Sequence, residues 1–394
     1  MTKGSGGARR LVRAGLGAGL AAAALAACGG SPGAAPGGTA KATAAPGGSA
    51  SGSPGPGGGP VSLARLFPIG VYVQAPASFG LWKSRGVNTM VVVPDGNSEK
   101  AWNKAAIRDG LYEIRAPGSN PASDAGNRNL LAWALPDQPD DVISQVPYAK
   151  IQRTYRAWKR IDPRVPVYIN FNGQFNQHDL ATNASGPSWY RQYVKGANWI
   201  TSDLYPVNNG DGNDLGVIGK EVTQLRQVAG GKPVFVFIES GAYDARNPVI
   251  TPSQFRAEVW EAIIHGARGI FYFPVQVTPD FKYDVTPPAV AAEMTRQDAT
   301  ITKLASVLQG TINPRALGAV APSPLQVTWR SSAGHGYFFV LNLSPRASRQ
   351  IIALSGVGSA TSATVYGENR TVQISGGAIT DNFGPYAVHI YQVP

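Results

Sequence analysis

The chain has very little cysteine and histidine. Of its 394 residues, one is a cysteine, Cys28, and four are histidines. A single cysteine excludes a disulfide framework, and it excludes a cysteine-ligated metal site in the folded part. The histidines do not show the H-E-x-x-H spacing of a zinc site, and no G-x-S-x-G motif indicates a serine nucleophile. We therefore expect no metal and no cofactor.

Sequence signals for nucleotide and nucleic-acid binding are also missing. No G-x-G-x-x-G or G-x-x-x-x-G-K-[ST] motif follows a predicted strand. The formal net charge is +11, but four of the positive charges lie within the first 13 residues, and no basic run with interleaved aromatics follows them. The sequence therefore favours a protein that does not bind nucleic acid, while its remaining positive charge suits a weak attraction to anionic wall polymers.

The first 60 residues have the pattern of a secretion signal followed by a tether. Basic residues precede the short apolar run AGLGAGLAAAALAAC. Its ending, LAAC, resembles the lipobox of bacterial lipoproteins, which implies that residues 1–27 are removed and that Cys28 is lipidated. Residues 28–60 are almost entirely Gly, Pro, Ala, Ser and Thr, as in a disordered tether. We expect a secreted protein, held on the outer face of the bacterial cell membrane by acyl chains on Cys28.

The next segment, residues 61–313, alternates short apolar runs with helical patterns. Eight apolar runs predict strands, and the segments between them have helical periodicity. Eight such units in about 250 residues indicate an α/β fold, a closed (β/α)₈ TIM barrel, rather than an open doubly wound sheet. The predicted strands are 68–73, 89–93, 112–116, 130–135, 165–171, 199–205, 233–239 and 269–275.

Residues 314–394 have a different pattern. Five short runs of alternating apolar and polar residues are separated by Gly, Ser and Asn, and they read LQVTWRS, GYFFVLNLS, ATVYGEN, TVQIS and AVHIYQV. This alternation predicts a small antiparallel β-sandwich domain after the barrel.

Two carboxylates follow predicted barrel strands, at the end of the barrel where ligands bind in this architecture. Glu239 ends the seventh strand after an apolar run, and a carboxylate there is destabilising unless it is hydrogen-bonded or used chemically. A structural salt bridge or a helix cap is the alternative for Glu239. Asp137 follows the fourth strand in the segment LPDQPDD. Because Pro136 and Pro139 bracket a turn there, a turn-forming or capping role is an equal alternative for Asp137.

Amide, carboxyl and aromatic side chains accompany these two carboxylates near other strand ends. Such side chains suit polyhydroxylated ligands, because sugar hydroxyls need paired donors and acceptors and sugar faces stack on aromatic rings. We expect them to hold a sugar, and the two rings Trp133 and Tyr272 fit a core position equally well. The candidates are Gln138, Trp133, Asn170, Asn172, Asp203, Tyr205 and Tyr272.

The sequence resembles the (β/α)₈ glycoside hydrolases of the clan that carries catalytic carboxylates on strands four and seven. The similarity lies in the runs FPIGVYVQ, WALPDQPD, VPVYINFNG, SDLYPV and KPVFVFIES. It implies that Glu239 attacks the anomeric carbon or acts as a base, and that a strand-four acid protonates the leaving oxygen. In relatives of this layout the fourth strand commonly reads Asp-Glu-Pro, so Gln138 stands where the acid belongs. A glutamine amide cannot act as a general acid.

Several explanations of Gln138 are open at this stage. Asp137 takes the acid role, a loop aspartate does so, the leaving group departs without protonation, or the chain binds glycans without cleaving them. We favour Asp137. The sequence then predicts a surface-anchored glycoside hydrolase that cleaves an extracellular polysaccharide or cell-wall glycan, with a non-catalytic carbohydrate-binding lipoprotein as the alternative. The loop candidates are Asp211, Asp214, Asp280 and Asp284.

Overall fold

The computed structural model describes residues 62–141, 144–172, 186–212, 214–310 and 317–394. Eight parallel strands pair in chain order and close into a barrel, and an antiparallel sheet follows it. The predicted (β/α)₈ barrel with a C-terminal β-sandwich is therefore confirmed. The barrel strands are β1 Ile69–Tyr72, β2 Thr89–Val91, β3 Tyr112–Arg115, β4 Leu130–Ala134, β5 Val167–Asn172, β6 Trp199–Asp203, β7 Val234–Glu239 and β8 Ile270–Phe273.

Helices follow the barrel strands with one exception. Between β3 and β4 the chain forms a single 3₁₀ turn, Pro121–Asp124, where the repeating pattern leads one to expect an α-helix. Asn120 caps this turn by accepting a hydrogen bond from the backbone of Ala122. The helices are α1 Phe79–Arg85, α2 Glu99–Asp109, α3 Tyr148–Ile161, α4 Gly186–Val194, α5 Val217–Ala229, α6 Pro252–Ile264, α7 Pro288–Lys303 and α8 Ala305–Leu308.

Helix α6 shows how local sequence sets these boundaries. Thr251 and Gln254 form a capping box, in which each side chain bonds to the backbone of the other, and Pro252 occupies the first turn. The helix ends at His265, and Gly266 follows with φ of 104°, a left-handed conformation that favours glycine. Both ends of α6 are thus encoded in the residues that flank it.

Aromatic rings fill the interior of the barrel. The rings of Phe235 and Phe271 stack with centroids 5.5 Å apart, and Phe237 meets Phe271 edge to face. Gly70 on β1 makes room for this packing, because a Cβ at that position would lie 2.4 Å from Phe271. Residues two apart on one strand, such as Phe235 and Phe237, share the inward face.

The C-terminal domain is a sandwich-like antiparallel sheet with the strand order β10-β11-β16-β13-β14-β15-β12-β9. Its core includes Phe338, Ile352, Ile379 and Tyr391. The strands are β9 Gly318–Val320, β10 Leu325–Ser332, β11 His335–Asn342, β12 Ser348–Ser355, β13 Ser362–Val365, β14 Arg370–Ser375, β15 Ala378–Phe383 and β16 Val388–Val393.

The sandwich packs against the outside of the barrel at helix α6. Trp260 stacks on Phe339 of β11 with ring centroids 5.9 Å apart, and Arg256 donates a hydrogen bond to the carbonyl of Tyr386 at 2.8 Å. Among the described residues, no helix is both long and apolar enough to cross a membrane.

Candidate active site

Asp137 lies at the carboxyl end of β4, partly exposed at the barrel mouth. Its Oδ2 accepts a hydrogen bond from the Tyr72 hydroxyl at 2.9 Å, and its Oδ1 accepts one from the Asn170 amide, also at 2.9 Å. Burial raises the pKa of Asp137, while the bonds from Asn170 and Tyr72 oppose that rise because they stabilise the charged form. Strands β1, β4 and β5 together hold this carboxylate.

Asp203 lies at the end of β6 and is also partly exposed. Its Oδ2 accepts a hydrogen bond from the Gln138 amide at 2.7 Å, and its Oδ1 has no partner among the described residues. Burial, and then the charge of Asp137, raise the pKa of Asp203 well above its usual value. The two environments therefore differ: two hydrogen bonds favour the charged form of Asp137, whereas the charge of Asp137 disfavours the charged form of Asp203.

Gln138 has a strained backbone that turns its side chain toward Asp203. Its φ is 43°, in the left-handed region that non-glycine residues seldom adopt. Two more residues at the mouth, Val73 and Val92, have φ of 50° and 65° directly after β1 and β2. Conformations of this kind cost about 1–3 kcal/mol each and occur often at functional sites. The strain thus clusters at the same end of the barrel as the two carboxylates.

Three further hydrogen bonds fix the loop that carries Asp137 and Gln138. The Asn172 amide donates to the Gln138 Oε1 at 3.4 Å, which turns the Gln138 amide nitrogen toward Asp203. The buried carboxylate of Asp140 accepts from the Asn172 backbone and from the Tyr190 hydroxyl, both at 3.0 Å. Burial raises the pKa of Asp140 to about 7. Asp140 therefore ties the loop after β4 to the end of β5.

An aromatic surface lies beside the carboxylates. Phe273 at the end of β8 contacts Tyr72 and Tyr205, with ring centroids 5.6 and 5.0 Å away. Tyr243 continues the surface, 6.2 Å from Tyr205. These four rings are partly exposed. Rings of this kind provide a face on which a sugar can stack.

Glu239 ends β7 on the inward face, as expected, but it is 0% exposed. Its Oε1 accepts from the Val207 backbone at 2.7 Å, and its Oε2 accepts from the backbone of Asn208 at 2.8 Å and from the Asn208 side chain. Burial raises the pKa of Glu239, and the bonds from Asn208 and Val207 oppose that rise. The loop after β6 therefore covers Glu239 and uses its carboxylate.

A second glutamate, on helix α6, lies close enough to Glu239 to interact with it electrostatically. Glu258 on α6 is fully buried. Burial, and then the charge of Glu239, raise the pKa of Glu258 well above its usual value. Burial and the nearby carboxylate of Glu239 therefore both disfavour the charged form of Glu258.

Two of the expected sugar-binding rings lie in the core. Trp133 is 0% exposed, packs against Trp158 of α3, and donates its indole N–H to Asp124 at 2.8 Å. Tyr272 is 0% exposed and donates its hydroxyl to Asp298 of α7. Both residues alternate with inward-facing neighbours, so they point to the surrounding helices. This placement corrects their assignment to the mouth.

The other expected sugar-binding residues do come together with Asp137 at the barrel mouth. Asp137, Gln138, Asn170, Asn172 and Asp203 are joined by hydrogen bonds, and Tyr205 adjoins them. The sequence reasoning missed Tyr72, Phe273 and Tyr243. The position of Tyr72 as the last residue of β1 is a usable signal, because strand ends also led to Asp137 and Asp203.

The loop aspartates lie apart from this cluster. Asp284 pairs with Arg85 at 2.8 Å, and Asp214 lies 3.7 Å from Lys220. Asp211 and Asp280 are exposed. Within the described ranges, no group of three or more His, Cys, Asp or Glu side chains is arranged to hold a metal ion.

Comparison with known proteins finds similarity in structure but not in sequence. No protein-family model matches the chain, and no curated protein sequence matches it. Solved structures do match it, and several of them are glycoside hydrolases.

Three of these structures come from Geobacillus species. An α-amylase from Geobacillus thermoleovorans, complexed with acarbose, has a TM-score of 0.57 at 8% identity, over 85% of this chain and 99% of that one. A GH42 β-galactosidase from G. stearothermophilus has a TM-score of 0.56 at 9% identity, over 84% and 98%. A GH27 β-L-arabinopyranosidase from Geobacillus stearothermophilus, in complex with arabinose, has a TM-score of 0.55 at 12% identity, over 84% and 97%. The chain therefore has the barrel fold that these glycoside hydrolases also have.

Proposed function

We propose that the chain is a glycoside hydrolase whose reaction takes place at the barrel mouth, between Asp137 and Asp203. The observation that carries this proposal is a pair of partly exposed carboxylates at the ends of β4 and β6, held by amides and a tyrosine in environments that separate their pKa values. Glycoside hydrolysis requires two carboxyl groups in different protonation states. The fold, shared with known glycoside hydrolases, supports the same reading.

The environments assign the two roles. Asp203 holds its proton to higher pH and donates it to the leaving oxygen as the general acid. Asp137, whose charged form accepts bonds from Tyr72 and Asn170, acts on the anomeric carbon as nucleophile or activates water as base. The sequence favoured Asp137 as the acid, and the hydrogen bonds favour the opposite role.

Gln138 and Glu239 then become positioning residues. The Gln138 amide orients Asp203 from the place where relatives of this layout carry an acid. Glu239 was expected to be the nucleophile, but its burial and its bonds to Val207 and Asn208 support a role in holding the loop after β6. That loop begins next to Asp203. Glu239 therefore positions the acid indirectly, by fixing the backbone of the loop.

The activity is tested by measuring the release of reducing ends from a panel of polysaccharides and aryl glycosides. Asp203→Asn should lower kcat/KM about 10²–10⁴-fold on natural glycans, since it removes the acid. The loss should be much smaller on an aryl glycoside whose phenolate departs without protonation. An equal loss on both substrates would remove Asp203 from the acid role.

Gln138→Glu separates the enzyme from the binding-protein alternative. If Asp203 is the acid, a carboxylate at position 138 competes for its proton, and activity should fall. If the chain is a binder that lost its acid at position 138, the same change should create or increase cleavage. Gln138→Met, which removes the amide without adding charge, is the matched control.

We further propose that the enzyme is anchored outside the cell and acts on an extracellular polysaccharide or cell-wall glycan. The LAAC sequence before the Gly- and Pro-rich segment supports lipidation of Cys28. Incorporation of labelled palmitate and recovery in the membrane fraction should both be lost in Cys28→Ala. Equal labelling of the two chains would contradict the anchor.

A further inference from the structure

A cavity of about 480 Å³ lies at the opposite end of the barrel, near the start of β7. Its lining includes four cationic side chains, and the backbones of Gly231 and Gly310. We call it the basal cavity. The four cations are Arg226, Lys232, Arg268 and Arg330.

The four cations come from separate elements of the chain. Arg226 lies in the last turn of α5, Lys232 in the turn before β7, and Arg268 just before β8. Arg330 lies on β10 of the sandwich domain. The barrel base and the sandwich therefore form the basal cavity together.

None of the four cations has a carboxylate partner among the described residues. They donate instead to neutral oxygens. Arg268 bonds to the carbonyl of Gln309 at 2.7 Å, Arg226 to that of His265 at 2.9 Å, and Arg330 to that of Trp329 at 2.8 Å. Lys232 bonds to the carbonyl of Ala197 at 2.7 Å. Carbonyl oxygens satisfy donors but do not neutralise a full charge.

The segments that adjoin the cavity in sequence offer no counter-charge either. Residues 1–61, which precede the rim residues Leu63 and Ala64, contain no Asp or Glu, and neither do residues 311–316, which follow Gly310. These two neighbouring segments therefore contain no carboxylate side chain that could pair with the cations of the basal cavity.

Arg330 carries the strongest sign of an absent partner. It is 4% exposed, and its Nε is buried without a hydrogen-bond partner among the described residues. Burial, and then the charges of Arg268 and Arg226, lower the pKa of Arg330 to about 10. Buried cations are normally paired, because an unpaired buried charge is costly. A bound anion would remove that cost.

We propose that the basal cavity binds a phosphate group, carried by a soluble phosphate ester or by a lipid headgroup. A phosphate has up to two negative charges and several acceptor oxygens, which match converging guanidinium groups better than a single carboxylate does. The glycines allow the ligand to approach the backbone closely. The basal cavity is at the opposite end of the barrel from the mouth, so this inference does not depend on the proposed hydrolase activity.

The full chain tests this directly. Its thermal unfolding is measured with inorganic phosphate, and with sodium chloride at the same ionic strength, and glycerol 3-phosphate affinity is measured by calorimetry. Phosphate should raise the Tm of the wild type beyond the effect of chloride. Arg330→Met should weaken glycerol 3-phosphate binding about tenfold or more. Arg349→Met, the same change at an exposed arginine of the sandwich, should bind as the wild type does.

A second variant covers the case in which Arg330→Met does not fold. Arg226 is exposed, so Arg226→Gln should fold and should still weaken phosphate binding. Vesicles of phosphatidylglycerol and of phosphatidylcholine identify the source of the phosphate. Retention by phosphatidylglycerol vesicles alone, lost in Arg226→Gln, assigns the cavity to a headgroup, and binding of soluble glycerol 3-phosphate assigns it to an ester. If phosphate, its ester and both vesicles give no effect beyond chloride, or if Arg226→Gln and Arg349→Met respond alike, the proposal is overturned.

Discussion

The mouth of the barrel has carboxyl groups without a cationic partner, and its base has cations without a carboxylate partner, among the described residues. At the mouth, Asp137 and Asp203 accept hydrogen bonds from amides and a hydroxyl, and neither makes an ion pair among the described residues. At the base, the cations of the basal cavity donate to carbonyl oxygens instead of carboxylates. At each end, hydrogen bonds to neutral groups fix the positions of the ionisable side chains. These bonds supply no opposite charge.

A third region shows that the chain does pair buried charge elsewhere. Arg115 on β3 is 2% exposed and lies within 3.2 Å of carboxylate oxygens of Glu99, Glu113 and Asp124. All these groups lie outside the barrel wall, between the strands and the helical layer. This buried arginine therefore has carboxylate partners, which the cations of the basal cavity do not have among the described residues.

The largest effect is expected at the mouth. Asp137→Asn should lower kcat/KM by about 10³-fold or more, because the amide can neither attack nor activate water. Asp280→Asn, at an exposed loop aspartate, is the control and should keep full activity. If instead Asp280→Asn abolishes turnover and Asp137→Asn does not, the acid or base comes from the loop after β8.

Stability should separate the paired arginine from the unpaired one. Arg115→Met leaves three carboxylates without their cation, so it should lower the free energy of unfolding by about 3–5 kcal/mol. Arg330→Met removes a cation that has no counter-charge, so in phosphate-free buffer it should change that free energy by less than about 1 kcal/mol. Urea denaturation at pH 7 measures both. Equal losses would show that Arg330 is compensated within the chain.

Two neighbouring glutamates at β7 and α6 should differ in a similar way. Glu239→Gln places amide hydrogens against the donors of Val207 and Asn208, and should cost about 3 kcal/mol of stability. In Glu258→Gln, a neutral amide of the same shape replaces a carboxyl whose charged form burial disfavours, so the cost should be within about 0.5 kcal/mol. Chemical denaturation of both variants checks this. A stable Glu239→Gln variant without turnover would restore Glu239 to the reaction.

The smallest effect concerns the pH dependence of stability. The folded protein keeps the Asp203 proton at pH values where the unfolded chain has already released it, because the folded pKa is raised. Stability from this group is therefore full below the unfolded pKa of about 3.9 and is lost as pH rises toward the folded pKa. Asp203→Asn removes this loss, and should be more stable than the wild type by about 0.5–2 kcal/mol at pH 7. Melting curves of both proteins at pH 3 and pH 7 should show this gain only at pH 7.

The sequence predicted the barrel well because most of its strands are short runs rich in apolar residues with helical patterns between them. It did not predict β9, β12 or β15. Strand β15 contains Asp381 and Asn382, which disfavour a strand, and tertiary contacts overcome this because Asp381 pairs with Arg370 and accepts from Tyr391. Long-range pairs of this kind have no local signal.

The site was predicted in part, for a reason that lies in strand geometry. Strand ends located Asp137, Asn170 and Asp203 correctly. Trp133 was misplaced although it alternates with the inward-facing Ala132 and Ala134, and a reading of this alternation would have assigned it to the core. The burial of Glu239 had no such signal, since the loop that covers it comes from another part of the chain.

The close packing of Phe271 against Gly70 bears on whether the barrel mouth and the basal cavity are coupled. With ring carbons occupying the space of a missing Cβ, and Phe235 stacked against them, the barrel axis is filled by rigid hydrocarbon. Neither solvent nor side-chain rearrangement provides an easy route along that axis. The free-energy effects of substitutions at the mouth and at the basal cavity should therefore add in double variants, because the two sites are independent.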